Sequence, residues 1–93
     1  MARAPEHPDR RMLLDAKLTE LALYVKELCP EAEVDASALT YEDEDGRVRI
    51  FPPPTLTESD ADRLELAVAA RAAEVFEKEG LYILCGVVEP PPR

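Results

Sequence analysis

Proline divides this chain before any other residue type does. Pro30, the run Pro52-Pro53-Pro54 and the run Pro90-Pro91-Pro92 cut it into stretches that must form separate elements. The reason is local: proline has no amide hydrogen, and its ring disfavours helical geometry in the residue before it. Within 93 residues there is room for one hydrophobic core and no second.

Ahead of Pro30, from Asp9 to Cys29, Leu14, Leu18, Leu21, Val25 and Leu28 recur at spacings of four and three. That periodicity predicts a helix with one continuous apolar stripe, widened by Ala22 and Cys29 and stopped by Pro30. At 100° per residue Met12, Ala16 and Leu23 fall on the opposite side, so the helix carries a second, smaller apolar ridge.

Between Pro30 and the proline run, residues 32–51 read as a β-hairpin turning at Asp45-Gly46, the dipeptide that a tight type I′ turn favours. A two-residue turn sets Tyr41 opposite Ile50, Glu42 opposite Arg49 and Glu44 opposite Arg47. A four-residue loop sets Tyr41 opposite Val48 and Leu39 opposite Ile50. A three-residue loop would place Tyr41 opposite Arg49 and mix the two faces, so parity argues against it. The two-residue turn is preferred because its cross-strand charge pairs are favourable. The acidic run Glu42-Asp43-Glu44-Asp45 lacks the alternating ligands and terminal Glu of a calcium loop, and reads as a solvated turn.

After the proline run, Thr57 or Ser59 can cap a second helix, with Glu58, Asp60 and Asp62 beside its positive N-terminal end. Leu64, Val68, Ala72, Val75 and Phe76 give its core face, Glu79 its approximate end, and Gly80 its stop. Residues 81–88 form a nearly unbroken apolar run without alternation, the pattern of a strand covered on both faces. The expected fold is therefore α+β: a two-layer sandwich in the order α-β-β-α-β, with two helices on one face of a three-stranded mixed sheet. The third strand should run parallel to the second, since a helix joins them; its neighbour in the sheet stays open. Residues 1–8 and 91–93 read as tails flanking a single domain over 9–90. Its main core is expected to hold Leu18, Leu21, Val25, Ile50, Leu64, Val68, Val75, Phe76 and Ile83.

In outline the order of helix, acidic hairpin, helix and strand resembles the C-terminal domain of NifU-type iron-sulfur scaffold proteins. Those domains place a Cys-x-x-Cys pair between the second strand and the second helix. Here that stretch is Phe51-Pro52-Pro53-Pro54-Thr55-Leu56, so the resemblance implies a shape and no cluster. A KH-type RNA module shares part of the layout, but the chain has no Gly-x-x-Gly loop.

Charge narrows the function classes. With 20 acidic residues against 11 lysines and arginines, the formal net charge is −9, a field that repels phosphate backbones and anionic lipid. Nucleic acid and membrane are not expected partners. Asn, Gln and Trp are absent, which suits a thermophile that avoids thermolabile amides. The N-terminal residues show no apolar signal segment, and a cytoplasmic protein is the expectation.

Candidates for chemistry are few. His7 is the sole histidine and lies in the expected tail. Cys29 and Cys85 are too few and too far apart for a metal site and read as core thiols. No catalytic residue, metal site or cofactor is expected. Tyr24, Tyr41 and Tyr82 could line a pocket, and Tyr41, Arg49 and Tyr82 are the candidate ligand-binding residues. Because the third strand is apolar on both sides while nothing covers the far sheet face, self-association is expected, with Met12, Leu23, Phe51 and Leu84 as candidate interface residues. The leading expectation is a non-catalytic interaction module acting as a homodimer or binding another protein. The alternatives are a small-molecule-binding regulatory domain and an enzyme completed across a dimer interface.

Overall fold

The computed structural model describes residues 8–38 and 44–88. The elements are α1 (Pro8–Leu28), β1 (Glu33–Ser37), β2 (Gly46–Phe51), α2 (Glu58–Glu79) and β3 (Ile83–Val87). The sheet order is β1-β2-β3, with β1 antiparallel and β3 parallel to the central strand. Both helices pack on one face of this mixed sheet, and the fold is α+β. No helix among the described residues is long and apolar enough to cross a membrane.

The helix ends follow from their own residues. Thr57 is extended, and its hydroxyl accepts the Asp60 amide at 3.1 Å, satisfying one of the orphan donors of the first turn. Gly80 takes a left-handed conformation, φ 73°, and returns its amide to the Phe76 carbonyl, a geometry that costs other residues a steric clash. At the end of α1 the Lys26 ammonium donates to the carbonyls of Pro30 at 3.1 Å and Ala32 at 2.6 Å. It thereby holds the tight connection into β1.

The core lies between the helices and the sheet. Leu14, Leu18, Leu21 and Val25 of α1 and Leu64, Val68, Ala72 and Val75 of α2 close over Val48 and Ile50 of β2 and Ile83 of β3. Both helical stripes are the ones their spacing predicts, except at their C-terminal ends: Leu28, expected to continue the α1 stripe, is exposed, and Phe76, expected in the core, is exposed as well. The buried line of α2 ends on Val75, and a residue 100° further round leaves the sheet-facing side and stands beside the outer edge of β3.

The hairpin differs more. β1 pairs with β2 so that Val34 faces Ile50, Asp35 faces Arg49 and Ala36 faces Val48, a register in neither expected family. Arg49 therefore stands opposite Asp35 and bonds its carboxylate. Leu39, Tyr41 and Glu42 lie outside the described residues. Parity misleads here because the apolar phase changes along the chain: Val34 and Ala36 occupy even positions, Leu39 and Tyr41 odd ones, and the strand uses the even set. Glu44 and Arg47 do form an ion pair, at 2.8 Å, as a contact three residues apart in the chain.

Asp45-Gly46 is not a two-residue turn either. The Asp45 amide donates to the Tyr82 carbonyl at 2.7 Å, and the Asp45 carboxylate accepts the Tyr82 amide at 2.8 Å. Asp45 thus joins the start of β2 to the start of β3. Gly46 is buried beneath α1, where an added Cβ would stand 3.1 Å from Leu18 Cδ2 and 3.3 Å from Leu14 Cδ1. Close approach of the helix, not a positive φ, demands glycine there.

Candidate functional site

Alternation along the sheet decides which side chains meet solvent. Val48 and Ile50 point into the core, so Arg47, Arg49 and Phe51 stand on the face away from the helices, beside Leu84 and Gly86 of β3. Its arginines are engaged. Arg49 pairs with Asp35 and stacks over the Phe51 ring, with its guanidinium carbon 5.8 Å from the ring centroid. Arg47 bonds the buried Glu44 carboxylate. Between β2 and β3 a depression of about 320 Å³ runs over Arg47, Arg49, Gly86 and Val88.

Of the three tyrosines, the two that are described, Tyr24 and Tyr82, are not brought together. Tyr24 lies between the helices with the Arg71 guanidinium 4.1 Å above its ring. Tyr82 packs edge-on against Phe76, centroids 6.3 Å apart. Tyr41 lies outside the described residues. Arg49 and Tyr82, paired as candidate ligand contacts, belong to different surroundings: Arg49 to the open sheet face, Tyr82 to the border of α2 and β3. The interface candidates are likewise dispersed. Met12 and Leu23 are exposed together on α1, Phe51 ends β2 on the open face, and Leu84 stands on β3.

An apolar recess follows the outer edge of β3. A groove of about 400 Å³ is lined by Ala69, Ala73 and Phe76 of α2 and by Tyr82, Leu84 and Cys85. Phe76 is 55% exposed, Tyr82 43% and Leu84 40%. Helical periodicity alone assigns Phe76 to the core and marks the alanines only as sites of close packing. A signal is nonetheless present, since 69, 73 and 76 share one helical stripe; alanine's weak hydrophobicity hides it. Two other recesses have different characters. One lies over the proline run beside the carboxylates of Glu58, Asp62 and Glu65, and another between the ends of α1 and α2 is bordered by Leu28, Leu56 and Leu66.

Beside the groove, one edge of β3 is unpaired among the described residues. Tyr82 O accepts from Gly46 N and Val88 N donates to Ile50 O. The even residues of β3 therefore turn their backbone groups toward β2, and Ile83, Cys85 and Val87 turn theirs outward. The Val87 amide is taken by a Glu65 carboxylate oxygen at 3.0 Å. Glu65 reaches over Gly86, where an added Cβ would come within 3.4 Å of it. No sequence pattern marks this contact.

Burial pushes the Cys85 thiol from 9.0 up to about 11, because an apolar surrounding disfavours the thiolate. The unfolded chain therefore ionises first, and this group's contribution to stability falls as pH rises from about 9 toward 11. At pH 8 a thiol reagent should label native Cys85 slowly and the denatured chain fast. Equal rates would contradict the burial described.

No protein-family model matches this sequence, and no curated protein and no solved structure matches it either.

Proposed function

We propose that this domain is a small non-catalytic interaction module whose partner is a second copy of itself. Phe76, Tyr82 and Leu84 together support the reading, because large apolar side chains contiguous along a strand edge are the usual mark of a surface covered in the working state. Their position matters as much as their size. They flank an edge strand without a charged side chain, Ile83–Val87, in a chain of net charge −9 that must meet its partner where carboxylates are sparse.

The arginines of the open sheet face lend no support to nucleic-acid binding, since each is committed to a carboxylate, and neutralised arginines make poor phosphate clamps. Light scattering during size-exclusion chromatography tests the proposal. A mass near twice the 10.4 kDa chain is expected at about 100 μM, with dissociation on dilution. A mass of one chain at every concentration would overturn the homodimer.

A further inference from the structure

We propose that the second copy docks by antiparallel pairing of β3 with β3, centred on Leu84, with Glu65 setting the register; this rests on the homodimer reading above. Among the described residues the sheet has two free edges, and their chemistry separates them. Two β1 edges (Glu33–Ser37) paired antiparallel would bring the Glu33 and Asp35 carboxylates of one copy toward those of the other, and like charges across a strand pair are destabilising. β3 carries no charge. It also adjoins the apolar groove of Ala69, Ala73 and Phe76, so strand pairing and helix contact are made by one docking event.

The free backbone groups of β3 select the register. Outward groups belong to Ile83, Cys85 and Val87, and the Val87 amide is held by Glu65. Pairing centred on Cys85 would set Val87 against Ile83 of the partner subunit and require that amide. Pairing centred on Leu84 sets Ile83 against Cys85 of the partner subunit, twice by symmetry, forming four hydrogen bonds and leaving Glu65 in place. Leu84 then meets its own copy across the two-fold axis, and Tyr82 falls opposite Gly86 of the partner subunit, a large residue against an empty position. The side chains of Phe76, Tyr82, Leu84 and the two alanines expose on the order of 400 Å² of apolar surface per subunit, so the pair hides roughly 800 Å² before backbone is counted. With the strand backbone added, the contact reaches about 1,000 Å², near the lower bound of a specific interface.

Cross-linking reads the axis directly. Residues opposite one another at a non-hydrogen-bonded antiparallel position have Cα atoms about 4.5 Å apart, within the range a disulfide spans. Leu84→Cys is exposed and should fold; under mild oxidation it is expected to give a covalent dimer on a non-reducing gel. Wild type, with Cys29 and Cys85, and Leu23→Cys on α1 are expected to give none. In a second measurement Leu84→Lys, which sets two ammonium groups at the axis, is expected to weaken dimerisation at least tenfold by sedimentation, with an unchanged circular dichroism spectrum. A dimer that tolerates Leu84→Lys, or that links through Leu23→Cys and not Leu84→Cys, overturns β3 pairing while the homodimer stands. A wild-type chain that is monomeric throughout overturns both.

Discussion

Leu21→Ala is expected to remove about 2 to 5 kcal/mol of folding stability, the largest loss from any single truncation in α1. Leu21 is 1% exposed and sits where the α1 stripe closes over the sheet. Deleting most of its side chain forfeits the transfer energy of the buried carbons and leaves a cavity that two helices and a sheet cannot fully collapse. A domain of this size has about 5 to 15 kcal/mol of total stability, so urea unfolding should show a large drop in midpoint at an unchanged slope. Glu20→Ala is the control. Its side chain is exposed and makes one long contact, 3.4 Å to Lys17, so a change within about 0.5 kcal/mol is expected. Losses of equal size at the two positions would mean that α1 presents a different face.

The second large effect belongs to an ion pair. Glu44 has a side chain only 2% exposed, and Arg47 donates to its carboxylate at 2.8 Å. Arg47→Ala takes away that donor and leaves a buried charge short of compensation, at an expected cost of about 2 to 4 kcal/mol. Adding Glu44→Gln to that variant should return at least half of the loss, because a neutral amide is far cheaper to keep from water than a carboxylate. A double variant less stable than Arg47→Ala alone would show that Glu44 is held chiefly by its other contacts. A double-mutant cycle at neutral pH measures the coupling.

The helices are legible in the sequence because each reports itself locally. The stripe of Leu14, Leu18, Leu21 and Val25 and that of Leu64, Val68, Ala72 and Val75 repeat with the helical period, and Thr57 and Gly80 stand where a cap and a left-handed stop belong. The parallel arrangement of β2 and β3 follows from the intervening helix in the same way. The β1 register is not legible. Its short strand carries one large apolar residue, Val34, with Ala36, so the stronger alternation of Leu39 and Tyr41 further along dominates the pattern while the pairing is set by α1 and the core. Asp45 shows the same limit. Beside a glycine it signals a turn, yet its carboxylate bonds the Tyr82 amide 37 residues away, and no local rule sees so distant a partner. The candidate surface falls between these cases. Leu84 and Tyr82 stand out in the sequence as candidates for an interface and a ligand contact, whereas Phe76 is misplaced by a single helical step and Glu65 bears no mark at all.

A sheet whose two sides are both open among the described residues is a unit able to add copies without end, each β1 receiving the β3 of the next. Here the two sides are unlike. Glu33 and Asp35 sit along β1, and the Glu65 carboxylate occupies part of the β3 edge. Every added chain would also bring a net charge of −9 into line with its neighbours, so self-repulsion would accumulate with each step of growth while the area buried per step stayed constant. Fibres are thereby disfavoured from the outset. In the proposed dimer, closure about a two-fold axis would consume both β3 edges at once and present only acidic borders to the solution.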